Sequence, residues 1–313
     1  MFCCLAANRR GLNLQAASLA NTSNIEGQVV MPCYSLLMVP RKENPMGLVY
    51  EKEGHIAKVG LNRPEEKNAL DPEILMDLHR AWTDVNEDDM VRVVILYSCL
   101  PDIFCSGMDL KTAIPVLTRA REPRSESERW LVQVGPHVGE AMLKPNIVKK
   151  PVIAAINGYC LTGGFEMIMG ADLRIASENA VFQMREASLG IMPVGGSNVY
   201  LPRHLSPCRA LEILLTAGNF RARTLHEWGF LNHVVSHEDL MKRSMELGDR
   251  IASNGPLAVQ GIIRCFRESQ DMSYSDAFKR ELEIGMPVFG SKDAREGILA
   301  QKEKRKPDFP GRY

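Results

Sequence analysis

From Leu48 onwards, apolar and polar positions recur at regular intervals, and the interval changes along the chain. Residues 48–53 and 55–61 alternate, which predicts two strands joined at Gly54. Asn62-Arg63-Pro64 reads as a turn. Asp71-Pro72-Glu73 reads as a helix start, with Asp71 as the cap and Pro72 at the first helical position. Leu75, Leu78 and Trp82 then recur at helical spacing, so an amphipathic helix is expected over 73–87. Residues 91–97 and 151–157 are uninterrupted apolar runs, the pattern of strands buried on both faces. A helix opens over 164–170, and 173–177 and 180–184 read as strands. Between these, 111–149 is polar and mixed, with helical pieces around 128–134 and 137–143. Helical periodicity then dominates 207–216, 238–253, 256–269, 275–285 and 292–304, with Gly255-Pro256 separating two of these helices.

Strands alternating with helices imply βαβ units and a largely parallel sheet, an α/β fold. The expected organisation is an extension over 1–45, a core over 46–250 and a helical region over 251–313. The chain has 313 residues, 45% of them hydrophobic and 24% charged, the balance of a globular domain with a sizeable core. Lys+Arg and Asp+Glu are equal at 38 each, so no overall basic field exists to attract nucleic acid. No apolar run approaches the roughly eighteen residues of a membrane helix. The eight cysteines contain no C-x-x-C pair, and no histidine lies near them at zinc-ligand spacing. Free thiols in a reducing compartment are therefore expected, without a metal site. Residues 1–45 hold Arg9 and Arg10 and no acid before Glu26, a weak likeness to a mitochondrial transit peptide. The competing reading is an extension without structural role, which leaves cytoplasm and mitochondrial matrix both open.

Candidate chemistry concentrates in mid-chain. Gly163-Gly164 lies between a strand and a helix, and Ser106-Gly107-Met108 follows the preceding core strand in the same way. Helix starts offer unpaired N–H groups and partial positive charge, and glycine admits close approach. Two such amides could form an oxyanion hole, although spacing alone favours ordinary helix-capping turns. Glu166 falls in the first turn of its helix, where the macrodipole suits an ionised base. Glu186 follows a strand beside Arg185. Two carboxylates over one site can divide acid and base roles, but each one alone has a bland reading as a helical or surface glutamate. The basic run from Lys302 to Lys306 reads as a solvated helix end or as an anion site. There is no G-x-S-x-G elbow, phosphate loop or dinucleotide fingerprint, so no nicotinamide cofactor is indicated.

Together these pieces resemble the crotonase family, the enoyl-CoA hydratase/isomerase superfamily, over roughly 47–309. Asn62-Arg63-Pro64 with Asn68-Ala69-Leu70 looks like an early family segment, and Phe104-Cys105-Ser106-Gly107-Met108-Asp109-Leu110 looks like its F-x-[AS]-G-x-D-[LI] turn. Lys150-Pro151-Val152-Ile153-Ala154-Ala155-Ile156-Asn157-Gly158 is close to its most recognisable strand. Gly163-Gly164-Phe165-Glu166, Leu189-Gly190-Ile191-Met192-Pro193 and the stretch Glu303 to Phe309 complete the order. The resemblance implies a spiral of ββα units with a helical C-terminal part that assembles trimers, often paired into hexamers. It implies an acyl-CoA thioester as substrate, with no metal or redox cofactor. It places the oxyanion hole on the amides of Met108 and Gly163. Glu166 is implied as base and Glu186 as acid, the pair sharing one water. Substrate or CoA contacts are implied for Lys67, Ala69, Ser106, Asp109, Leu110, Gly164 and Lys304.

The implied reaction is reversible hydration of a 2-enoyl-CoA. The alternatives are isomerisation, thioester hydrolysis, or acyl-CoA binding without catalysis. Two departures stand out. Thr162 occupies the place of a third glycine, and Pro193-Val194-Gly195-Gly196-Ser197-Asn198-Val199 replaces the usual P-G-A-G-G-T-Q. Residues 111–149 are longer than in compact hydratases, where that region forms the acyl pocket, so a short-chain substrate is not implied.

Overall fold

The architecture comes from a computed structural model, which describes residues 47–133, 137–144 and 147–313. The expected extension over 1–45 lies outside the described residues. Strands β1 (Gly47–Glu53) and β2 (Ile56–Asn62) form the antiparallel hairpin expected around Gly54. A short 3₁₀ turn, Pro64–Glu66, leads to α1 (Pro72–Glu87), whose cap is Asp71: its carboxylate accepts from Ile74 N at 2.8 Å. Next come β3 (Val93–Ser98), β4 (Ile103–Cys105) and three short helices, α2 (Ala113–Leu117), α3 (Glu126–Gln133) and α4 (His137–Ala141). The centre of the chain runs β5 (Val152–Ile156), β6 (Tyr159–Leu161), α5 (Gly163–Ile168), β7 (Leu173–Ser177) and β8 (Val181–Gln183). Then follow α6 (Ser197–His204), α7 (Pro207–Thr216), β9 (Phe220–Arg221), α8 (Ala222–Glu227), β10 (His233–Val235) and α9 (Leu240–Ala252). Helices α10 (Pro256–Ser269), α11 (Tyr274–Phe289) and α12 (Lys292–Glu303) end the chain.

Two sheets result. The larger has the order β1-β2-β3-β5-β7-β10, parallel beyond the first hairpin. The smaller has the order β4-β6-β8-β9, with β9 antiparallel. After α1, three successive turns of the chain each give a longer strand to one sheet and a short strand to the other before a helix returns: β3, β4, α2, then β5, β6, α5, then β7, β8, α6. That repeat is the spiral of ββα units. The second sheet was not anticipated, apart from β8. Its strands are two or three residues long, too short for alternation to be visible.

The uninterrupted apolar runs are explained by burial on both faces of the larger sheet. Val93, Ile95, Ile153, Ala155 and Ile175 face α9 through Leu240 and Ala252. Val94, Leu96, Ala154 and Ile156 face the other core, which contains Trp82, Leu75 and Leu78 of α1. Residues 93–96 of β3 and all of β5 are buried on both faces, so neither run needs a polar alternate. No described helix is long and apolar enough to cross a membrane.

Candidate active site

Two turns cross each other, one leading from β2 into α1 and one following β4. Leu70 N donates to Gly107 O at 2.8 Å, Asp109 N to Leu70 O at 3.0 Å, and Ser106 N to Lys67 O at 3.1 Å. Asn68, fully buried, binds the same turn from below: its amide donates to Ser98 Oγ at 2.8 Å and to Phe104 O at 3.0 Å. Lys67 and Asn68 are both left-handed, φ 54°, which bends this segment around the 106–109 turn. Gly107 has φ +103°, and a Cβ there would fall 1.7 Å from Thr162 Oγ1. Only glycine permits both that conformation and that approach.

The close approach brings Met108 to Gly163: a Cβ on Gly163 would lie 3.3 Å from Met108 N. Among the described residues, neither the Met108 nor the Gly163 N–H has an acceptor. Both expected oxyanion donors are therefore adjacent and unspent. Thr162, in the place of the third glycine, adopts φ 46° and ψ −120°. A β-branched residue is strained there. It is held by its own N–H to Gln183 O at 2.8 Å and by its hydroxyl to Ser106 O at 3.4 Å.

Glu166 lies in the first turn of α5 and is 4% exposed. Its Oε1 accepts from Ser197 N at 3.1 Å and from Ser197 Oγ at 2.9 Å. Ser197 is the first residue of α6, so one unpaired N–H of that helix start is spent on the carboxylate. A Cβ on Gly195 would fall 2.2 Å from Glu166 Oε2, so the glycine lets this loop close over the carboxylate without displacing it. Glu186 opens the 3₁₀ turn Glu186–Leu189 and is 8% exposed, with a buried Oε2 that has no partner. Burial pushes its carboxyl above the usual range, and the charge of Glu166 adds to the shift. The two carboxylates thus lie within electrostatic reach of each other in unlike settings, one braced by Ser197 and the other with one buried oxygen left unpartnered.

The remaining expected residues divide. Ser106 and Ala69 lie in the crossing turns, and Ala69 O accepts from Arg63 at 3.2 Å. Leu110 is exposed at the edge of its turn. Asp109 was expected at the substrate, yet its side chain faces inward, 3% exposed. It accepts from Arg63 at 2.6 Å and from the Lys111 and Thr112 amides at 2.8 and 3.0 Å. Burial works against its charge, but these donors outweigh it and hold the carboxyl below its usual range. Asp109 is thus an anchor of the turn. Gly164 packs on β4, where a Cβ would lie 2.6 Å from Cys105 Cβ. Lys304 is exposed and ends α12 in a left-handed conformation; the tail beyond it is tied back by Arg305 to Glu296 and by Phe309 O to Arg92.

The residue pattern of these turns and the two-sheet spiral agree with the comparisons. The model of the family described as enoyl-CoA hydratase/isomerase matches residues 51–312. The chain belongs to the enoyl-CoA hydratase/isomerase family. Among curated relatives, enoyl-CoA hydratase EchA19 of Mycobacterium tuberculosis is 39% identical over 275 residues, 88% of this chain and 100% of the relative. Carnitinyl-CoA dehydratase of Proteus mirabilis is 35% identical over 263 residues, 83% of this chain and 96% of that one. Among solved structures, an enoyl-CoA hydratase from Bacillus anthracis superimposes with a TM-score of 0.76 at 32% identity, covering 85% of this chain and 100% of that chain. The expected crotonase fold and the expected hydratase-like enzyme class are met at this level.

Some residues around these candidate groups carry no local sequence signal that singles them out. Ser197 sits in a segment noticed only as a departure, and nothing in the sequence pairs it with Glu166. Gly195 matters because of what lies above it. Lys144 closes the far side of the same loop from a region of mixed polarity.

Proposed function

We propose that the protein is an enoyl-CoA hydratase-like lyase that reversibly adds water across the double bond of a 2-enoyl-CoA thioester. The observation that carries this reading is the pairing of two buried carboxylates in unlike settings with two adjacent, unspent amides. Glu166 acts as the base: it takes a proton from water as the water oxygen bonds to the β-carbon. The electron pair of the double bond moves onto the thioester oxygen, and the amides of Met108 and Gly163 hold the resulting enolate. Glu186, whose burial favours the protonated form, gives its proton to the α-carbon. The two glutamates share one water and exchange a proton to reset, so they titrate as a pair. Oxidation states balance without a metal or redox cofactor. Elimination of water from a 3-hydroxyacyl-CoA is the same path reversed, which accommodates the relative named as a dehydratase.

Lys67, Ala69, Ser106, Leu110 and Gly164 line the approach of the acyl-CoA in this reading, and Lys304 offers a cation to its phosphates. Assembly as a homotrimer or homohexamer is part of the same proposal. It is supported by a row of exposed apolar side chains on α10 and α11, among them Phe266, Phe278, Leu282, Met286 and Phe289. Light scattering of the purified chain should give a mass at least three times that of the monomer.

The deciding experiment is a panel of enoyl-CoA esters turned over by the parent, Glu166→Gln and Glu186→Gln, with product masses recorded. Hydration adds water and leaves CoA attached. Each variant should lose on the order of 10²–10⁴-fold in turnover. Unchanged turnover in both, or release of CoA as the main product, would overturn the reading.

A further inference from the structure

We propose that Lys144 is a positioning residue for this chemistry: its ammonium clamps the 195–197 turn against Glu166 and supplies the counter-charge beside that carboxylate. The inference rests on Glu166 acting as the base. It concerns a residue that touches neither the substrate thioester nor the amides of the crossing turns.

Lys144 follows α4, and its placement is over-determined. Leu143 is left-handed, φ 62°, and Lys144 N donates to Gly139 O at 2.6 Å. The same bend sits against the turn that follows α5, where a Cβ on Gly170 would fall 2.5 Å from Leu143 O. The side chain is thereby directed under the loop that covers Glu166 and is only 7% exposed. Its Nζ donates to the carbonyl of Gly195 and lies 5.7 Å from the centre of the Tyr200 ring of α6. A Cβ on Gly196 would approach that Nζ to 3.1 Å.

The consequence is a grip on both carboxylate oxygens through one short loop. Gly195, held by Lys144, stands against Glu166 Oε2, while Ser197, two residues on, binds Oε1. A buried lysine is rare and unfavourable unless it is paired. An apolar side chain of similar length would fill the same space without that penalty. The retained charge has one ionisable partner among the described residues, Glu166 from α5; the ring of Tyr200 is the group that faces it from α6. Glu186 reaches it only by way of Glu166. The charge therefore balances the negative charge that Glu166 carries as the base. Burial lowers the Lys144 pKa to about 8, with Glu166 pulling the other way. The support should accordingly fail as the pH rises past that point.

The test is the pH dependence of enoyl-CoA hydration by the parent, Lys144→Met and Lys144→Arg, with the melting transition of each recorded. The parent should lose turnover above about pH 8. Lys144→Met should show kcat lowered on the order of 10- to 100-fold near neutrality, with KM little changed and the alkaline fall absent. Lys144→Arg should restore kcat to within a few-fold and move the fall to higher pH, because a guanidinium stays charged. A second arm does not need turnover. With lysine labelled at 13Cε, the Lys144 signal, identified by its loss in Lys144→Arg, should titrate at lower pH in Glu166→Gln than in the parent, since the coupling is reciprocal. The proposal falls if folded Lys144→Met matches the parent in kcat and pH profile, or if Glu166→Gln leaves the Lys144 titration unmoved. A parent that hydrates no enoyl-CoA would overturn the functional reading instead, and the NMR arm would then decide the clamp alone.

Discussion

In the proposed reaction the chemistry around Met108 and Gly163 is presented by main chain, and around Glu166 and Glu186 by side chains. The first half is tied at many points: three backbone hydrogen bonds between the 67–70 and 106–109 segments, a fully buried Asn68, and Asp109 locked to Arg63. The second half hangs on one loop, through Ser197, Gly195 and Lys144, and leaves a Glu186 oxygen buried without a partner. The difference follows from what each half must do. An amide donor has no charge to tune and works by being fixed in advance. A carboxylate must change protonation state, so its surroundings cannot satisfy both states fully. Damage to the first half should therefore cost stability and activity together, whereas damage to the second should cost activity alone.

The sharpest break would come at Glu186. Glu186→Gln removes an ionisable group whose charged form the fold disfavours. Because its folded pKa is raised, ionisation lowers stability as pH climbs through that value. At neutral pH the variant should melt no lower than the parent while turnover falls on the order of 10²–10⁴-fold, measured by calorimetry and steady-state kinetics. A marked loss of melting temperature would erase the contrast. Gly107→Ala tests the opposite half. The strained φ and the clash with Thr162 should lower turnover on the order of 10²–10³-fold and stability by about 1–3 kcal/mol in the same protein. Asp109→Ala removes the deeper partner of Arg63, which keeps Asp71 at 3.4 Å, and should cost about 1–3 kcal/mol in urea unfolding, with any loss of activity following the loosened turn.

Gly195→Ala should be milder. The added methyl meets the end of a flexible side chain, so stability should change little, but the displaced Glu166 carboxylate should cost about tenfold or more in kcat. The smallest effect concerns α6, the helix that starts at Ser197 and ends at His204. Burial, with Arg174 nearby, lowers the His204 pKa from 6.5 to about 4. The unfolded chain takes up that proton first, so stability should be complete above about pH 6.5 and decline as pH falls towards 4. In His204→Phe that part of the acid sensitivity should vanish, as read from melting temperature against pH.

Much of this arrangement was legible in the chain. The apolar runs that became β3 and β5, the Asp71 cap and the glycines flanking both turns are local patterns, and local physics suffices to read them. The family resemblance added which amides and which carboxylates to watch. What escaped was short or distant. Strands β4, β6 and β9 are too brief for a period to register. Asp109 was expected at the substrate through the family resemblance, and only the approach of Arg63 across 46 positions shows its side chain turned inward. Thr162 was visible as an oddity, but its positive φ was not.

The sequence by itself therefore determined the alternation of strands and helices and the two glycine turns, because each is encoded by neighbours within a few residues, whereas Glu166 and Glu186 stood out only through the family resemblance. The tertiary structure decided that Met108 N meets Gly163, that Ser197 holds Glu166, and that Lys144 lies beneath the loop between them. Those relations join residues tens of positions apart, and burial at their meeting point sets the protonation each group prefers. Burial belongs to the packed chain and to no segment of it.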